Sequence, residues 1–145
     1  KGVPAVVVPG CLDMVNFWAP ETVPAQFKGR TFYPHNPNVT LMRTNVQENQ
    51  AIGMRIGERL SKSKAPVTVL LPGRGLSMID SPGEAFWCPE ADQALFQAIR
   101  QHLRPDIPVI EMDLNINDEE FAGRCARCLL ENMAQHEAAG RTAGA

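Results

Sequence analysis

The sequence predicts an α/β fold of Rossmann-like type, three layers deep, with a mostly parallel sheet and helices on both faces. Three observations lead there. Strand-like and helix-like patterns alternate along the chain, as they do where parallel strands are joined by right-handed helical crossovers. Residues 67–71 are an unbroken apolar and β-branched run between Pro66 and Pro72-Gly73, the pattern of a strand covered on both faces and placed in the middle of a sheet. At 145 residues, 44% of them hydrophobic and 21% charged, the chain has room for one core and not for a second full domain.

Residues 3–8 are the first buried-strand pattern, with Pro4 suited to a strand start and Pro9-Gly10 ending it. Asp13 and Asn16 then fall just beyond its carboxyl end. Residues 18–38 carry Pro20, Pro24, Pro34 and Pro37, which disfavour a helix and predict a long functional loop. Residues 39–43 have the pattern of a short strand or of a helix entry, and pattern alone does not separate the two. Thr44 begins a Thr-x-x-Gln capping box with Gln47, and Ile52, Met54, Ile56 and Leu60 give an amphipathic helix to about Ser61. Gly53 and Gly57 inside it cost roughly 1 kcal/mol each relative to alanine, so they mark close packing.

The central strand opens into Gly73-Arg74-Gly75-Leu76-Ser77, and residues 80–89 connect it onward with Phe86 and Trp87 as a lid or plug. Pro89 starts a helix in which Ala91, Leu95, Ala98, Ile99 and Leu103 follow helical spacing, with Glu90 and Asp92 favourably placed in the first turn. Residues 107–112 are the third strand and 113–117 a polar turn. Asp118 caps a last helix whose expected buried stripe is Phe121, Cys125, Cys128, Leu129 and Met133. The single α/β domain is expected to span residues 1–136, with 137–145 a flexible tail. Because Lys1-Gly2-Val3 leads straight into a strand without a methionine, the domain is expected to follow an earlier part of a longer protein.

The net charge of −2 and pI near 5.9 exclude a protein whose main partner is nucleic acid, since phosphate neutralisation needs a basic surface. Residues 24–64 nonetheless carry +5, leaving −7 for the remainder. A locally basic segment in an acidic domain suits a small phosphorylated ligand, and equally a solvated helix face from Arg55 onward. Cys125 and Cys128 form a CxxC without a second CxxC or a nearby ligand histidine, so Cys11, Cys88, Cys125 and Cys128 read as buried thiols of a reducing compartment and not as a zinc site. No apolar run reaches membrane-span length and no signal peptide is present, so a cytoplasmic location is expected.

In an open parallel sheet, ligands bind beyond the carboxyl ends of the strands. Three polar groups fall there: Asp13 and Asn16 after the first strand, Arg74, Gly75, Ser77 and Asp80 after the second, and Asp113, Asn115 and Asn117 after the third. The glycine turn at 73–77 can aim successive N–H groups at an anion. It is not a Walker P-loop, because GxxxxGK[ST] is absent. Arg43, between a short strand and a capped helix, is placed for a bidentate phosphate contact, with a structural salt bridge as the alternative. His35 in its proline-ringed loop is an acid/base candidate or a residue that fixes its own loop. Asp13, Asp80 and Asp113 are oxygen ligands for Mg²⁺ or caps of their turns. Ser77 lacks the GxSxG elbow of Ser-His-Asp hydrolases.

The phrases VVVPGCLDMVNF, RTFYPHNPNVTLMRT, LLPGRGLSMIDSPGEAF and LNINDEEFA run in the order and at the spacing of a family that resembles the tobamovirus-resistance protein of tomato, the Tm-one-like family. The resemblance covers residues 3 to about 133. It implies an ATP-binding region of two α/β subdomains, of which this chain is similar to the second. The matching positions are Pro9, Gly10, Asp13, His35, Asn36, Thr40, Arg43, Gly75 and Ser77, while Gly73 and Cys88 depart from the family's usual residues. The expected site therefore comprises Gly10, Asn36, Thr40, Arg43, Arg74, Gly75 and Ser77 for ATP, with Mg²⁺ on Asp13 and Asp80. The expected partners are a phosphate ligand, the amino-terminal subdomain and further copies of the chain. Two other functions compete: an enzyme acting on a phosphorylated or carboxylated metabolite through His35 and Asp13, and an interaction module built on the loop from Trp18 to Tyr33.

Overall fold

The computed structural model describes residues 2–142. Along the chain run Ala5–Val7 (β1), Met14–Phe17 (β2), Phe32–Asn36 (β3), Val39–Arg43 (β4), Val46–Leu60 (α1), Val67–Pro72 (β5), Pro89–His102 (α2), Val109–Met112 (β6) and Glu119–Thr142 (α3), with short 3-10 turns at Pro20–Thr22 and Ala25–Phe27. β1, β5 and β6 form a parallel sheet in that spatial order, so β5 is central and buried at every residue. Because strand side chains alternate, Val67, Val69 and Leu71 face α1 and α2 through Ile52, Ile56, Leu95, Phe96 and Ile99. Leu70 faces the other way, onto Phe121 and Cys128 of α3. The result is the expected three-layer α/β arrangement.

α1 and α2 pack closely because Gly53 and Gly57 leave no side chain between them. A Cβ on Gly53 would stand 2.5 Å from the Leu95 carbonyl oxygen and 2.7 Å from the Ala98 Cβ, and one on Gly57 2.8 Å from the His102 backbone. The cap of α1 differs by one residue from expectation. Asn45, not Thr44, accepts from the Glu48 N–H, and Glu48 in turn accepts from Asn45. Thr44 is occupied elsewhere: its hydroxyl donates to the Leu12 carbonyl and its N–H to the Asp13 carbonyl.

A second, antiparallel sheet in the order β2-β4-β3 occupies the region read as strand-end polar residues and long loop. β2 begins one residue after Asp13, and β3 contains Pro34, an edge position where its missing N–H is tolerated. Asn36 accepts from the Asn38 N–H and closes the turn into β4. Thr40 lies opposite Phe17 and Pro34 and Met42 opposite Val15 and Phe32, which gives one face. Leu41 and Arg43 form the other, and there Tyr33 meets Phe86 of the α/β body with ring centroids 6.3 Å apart.

In α3 the buried stripe is Phe121, Cys128 and Asn132, with Cys125 packed beside it, whereas Leu129 and Met133 are exposed. The helix turns Asn132 inward because Thr68 donates to its Oδ1 and its Nδ2 donates to the Ala5 carbonyl. Asp118 accepts from the Asn115 N–H in the preceding turn and so closes that turn. α3 continues to Thr142, into the stretch expected as a tail, and residues 143–145 lie outside those described. The four cysteines are free thiols; Cys128 is buried, Cys88 and Cys125 are half-buried, and Cys11 is exposed, contrary to the expectation for it. No helix among the described residues is long and apolar enough to cross a membrane.

Gly53→Ala tests the helix contact. Alanine favours helix by up to about 1 kcal/mol over glycine, but the crowded Cβ forces α1 and α2 apart, and overpacking of this kind costs about 1–3 kcal/mol. Urea denaturation of Gly53→Ala should show a lower midpoint than wild type, and a higher midpoint would contradict the packing.

Candidate functional site

Arg43 is the last residue of β4 and is 6% exposed. Its Nε donates to the Phe86 carbonyl at 2.7 Å. Nη1 reaches the Thr44 hydroxyl at 3.2 Å and the Asp13 carbonyl at 3.4 Å. Nη2 reaches Asp92 Oδ1 at 2.6 Å, Asp80 Oδ1 at 3.3 Å and the Cys88 carbonyl at 3.4 Å. With all three guanidinium nitrogens engaged inside the protein, Arg43 is a structural ion pair and not a cation open to phosphate. The sequence showed its charge and not its depth, because β4 is buried on both faces.

Around this guanidinium stand three buried carboxylates, Asp13, Asp80 and Asp92. Asp80 Oδ2 accepts from the Leu76 N–H at 2.9 Å, and Asp13 Oδ2 accepts from the Ser77 hydroxyl at 2.8 Å. Ser77 Oγ in turn accepts from the Asp80 N–H. Asp13 Oδ1 and Asn49 Oδ1 are buried with no hydrogen-bond partner among the described residues. One cation cannot neutralise three carboxylates in a poorly solvated layer, and all three pKa values are raised, chiefly by burial. For Asp80 the shift reaches about 7, with the negative charges of Asp92 and Asp13 adding to burial and Arg43 and the Leu76 N–H opposing it. Asp92 holds the shorter contact to Arg43, so the proton resides on Asp80 at mildly acid pH.

The glycine turn is closed on itself. The N–H groups of Gly73, Arg74 and Gly75 donate to the carbonyls of Met112, Leu114 and Pro72, and that of Leu76 to Asp80. These four amides are spent on internal partners, so the cradle expected at 73–77 is a folded turn. Gly75 sits at φ +122° with its Cα so close to Asp80 that an added Cβ would lie 1.5 Å from the Asp80 carbonyl oxygen. The next three N–H groups, of Ser77, Met78 and Ile79, have no acceptor among the described residues.

The remaining expected residues divide between two places. At the carboxyl edge of the parallel sheet, Asn115 donates to the carbonyls of Arg74 and Ser77 and to the Ser81 hydroxyl, while a Cβ on Gly10 would meet Ile116. Arg74 is half-exposed there and faces Asp113 at 3.7 Å. Asn16, His35, Asn36 and Thr40 belong to the antiparallel sheet, His35 and Asn36 exposed at its hairpin and Thr40 buried. Asp13 joins Ser77 and Asp80 as expected, but His35 makes no hydrogen bond to Asp13 or Ser77. Among the described residues no group of three or more His, Cys, Asp or Glu side chains is arranged to hold a metal ion. Asp92 and Asn49, both central to the polar layer, carried no signal beyond a first-turn acid and a helical amide.

The titration of Asp80 has a defined sign. Its folded-state pKa of about 7 lies above its ordinary 3.8, so between those values the folded chain keeps a proton that the unfolded chain has released. This group's contribution to stability therefore falls as pH rises through that window, by up to about 1.4 kcal/mol per pH unit for one proton, and levels off above it. Urea midpoints measured from pH 5 to pH 8 should decline in wild type and flatten in Asp80→Asn; an unchanged slope in that variant would exclude Asp80 as the titrating group.

Residues 1–133 match the family described as "Uncharacterised protein family (UPF0261) C-terminal domain". A UPF0261 protein of Clostridium tetani is 48% identical over 133 residues, covering 91% of this chain and 33% of the relative, and one of Mesorhizobium japonicum is 49% identical over 137 residues, covering 93% and 34%. The tomato ToMV resistance protein Tm-1 is 39% identical over 133 residues, covering 90% of this chain and 18% of its own length. The chain thus spans about a third of the length of the bacterial relatives. With a family match over nearly its whole length and bacterial relatives close to half identical, this chain belongs to the UPF0261 family, as its carboxyl-terminal domain.

Proposed function

We propose that this domain supplies one wall of a site for a phosphate-bearing ligand at the carboxyl edge of the parallel sheet. The observation that carries the reading is the run of N–H groups from Ser77 to Ile79, which have no acceptor among the described residues and follow directly on the turn that leaves the central strand. Successive free backbone donors favour an anion. Arg74, 51% exposed on its side chain and opposed by an 87% exposed Asp113 at 3.7 Å, is the cation near them in sequence that a phosphate could recruit. ATP is the ligand that the Tm-one-like resemblance implies. Since Asp13 and Asp80 are buried, Asp80 with both oxygens engaged, Asp113 is the exposed strand-end carboxylate left for an accompanying Mg²⁺. The bacterial relatives are about three times as long, so the opposite wall is assigned to the rest of such a protein.

Isothermal titration of a full-length family protein with ATP and Mg²⁺ should give saturable heat, and Arg74→Ala should weaken binding about 10–100-fold, the worth of one charge-assisted contact. No heat from the wild-type full-length protein would remove the ATP reading.

A second reading, an interaction surface, is favoured by Trp18, which is 74% exposed beside the antiparallel sheet. Exposed tryptophans are enriched among the anchors of protein interfaces. The tomato relative, named a ToMV resistance protein, gives that reading its context. A partner complex should lose at least tenfold in affinity in Trp18→Ala, and a complex indifferent to that change would not use this surface.

A further inference from the structure

β1 is an outer strand of the parallel sheet and pairs with β5 on one side only. Ala5 donates its N–H to the Pro66 carbonyl. Alternate residues of a parallel strand bond to the same neighbour, so Ala5 and Val7 serve β5 while Val6 turns its N–H and carbonyl outward. The N–H of Val8 has no acceptor among the described residues either. Pro4, just before the strand, has no N–H to offer. The free donors of this edge are therefore those of Val6 and Val8, two residues apart, the spacing at which a second extended chain meets them.

The two outer strands differ in how they meet solvent. β6 is guarded: Glu111 is exposed within it and holds Arg100 at 2.8 Å, and charge on an edge strand discourages a further strand. β1 has no such guard, because residues 3–8 are valine, alanine and proline only. All three residues of β1 are half-buried, whereas every residue of β5 is buried. Strands of parallel sheets are apolar throughout because both their faces are covered and their edges paired, so an uncharged apolar strand at the rim has the composition of an inner one. The layer beside it is unfinished in the same way. Ala5 and Val7 pack against the core together with Leu12, Ile52 and Ile56, and these last three, half-buried, line an open groove of about 390 Å³ with Arg55 and Arg59 of α1.

We propose that the free edge of β1 receives a strand from the rest of a full-length family protein, bonded through the N–H groups of Val6 and Val8 and the Val6 carbonyl. The open backbone groups specify an extended chain, and the uncharged residues around them an apolar one. Length assigns that strand to the same polypeptide: the bacterial relatives carry about two-thirds of theirs outside the region matched here. A second copy would offer only the same short edge of three residues. The pairing does not depend on the phosphate reading.

Hydrogen exchange, read residue by residue, compares this chain with the full-length UPF0261 protein of Clostridium tetani at the positions matching residues 5–8. In this chain the Val6 and Val8 amides should exchange fast beside a slow Val7 amide. In the full-length protein both should slow at least about 100-fold, since an amide bonded into a ladder exchanges only when the structure opens. Fast exchange at those two positions in the full-length protein would overturn the proposal, whether or not this chain folds alone. So would protection of Val6 and Val8 in this chain that grows with its concentration, which assigns the edge to a second copy. Slowing confined to the positions of Val109 and Glu111 would overturn it too, by placing the added strand on β6.

Discussion

The guanidinium of Arg43, set among Asp92, Asp80 and the Phe86 carbonyl, is the contact on which the rest of this structure depends. It joins the end of the antiparallel sheet to the first turn of α2 and to the connection after β5, segments far apart in sequence. Through Thr44 and the Asp13 carbonyl it also reaches the start of α1 and the link between β1 and β2. A buried ion pair of this kind adds little net stability against a well-packed apolar substitute, yet removing one partner is costly, about 3–5 kcal/mol, because the other charge is stranded. In this structure every nitrogen of the arginine finds an acceptor, and the acceptors come from the segments it joins.

The same layer shapes the carboxyl edge above it. Asp80 reaches back to the Leu76 N–H, Ser77 bridges Asp13 and the Asp80 N–H, and Asn115 ties Arg74, Ser77 and Ser81 together. The turn after the central strand is thereby held from below and from the side. Its conformation admits only glycine at position 75, where both the positive φ and the Asp80 carbonyl forbid a side chain. A segment held in this way has little conformational freedom left to lose.

The parallel half of the fold was legible in the sequence because its signals are local. An apolar run at 67–71, helical spacing after Pro89 and glycines spaced four apart in α1 each state their own environment. The antiparallel half was not. β2 and β3 include Asn16, Pro34, His35 and Asn36, which read as loop, and they become strands because β4 lies between them. Thr44 and Asn45 are both good caps, and the choice between them is made by the Leu12 carbonyl, which takes the threonine hydroxyl. In α3 the inward turn of Asn132, with Leu129 and Met133 left outside, follows from Thr68 and the Ala5 carbonyl, partners over 60 residues away in sequence. Asp13, Ser77 and Asp80 were rightly grouped, but whether Arg43 faces a ligand or its own carboxylates is a matter of depth, which composition does not record.

Three carboxylates around one arginine leave an excess of negative charge that burial makes expensive, and a proton on Asp80 is the least costly remedy. The proton is not a defect of an otherwise finished network. Asp80 must accept from the Leu76 N–H to close the glycine turn and must also share Nη2 with Asp92, two demands on its two oxygens. Asparagine, with one oxygen and one NH₂, would meet one of them with a donor group. Aspartic acid offers an oxygen at both points. The chemistry that closes the turn is thus the same chemistry that makes the layer sensitive to pH.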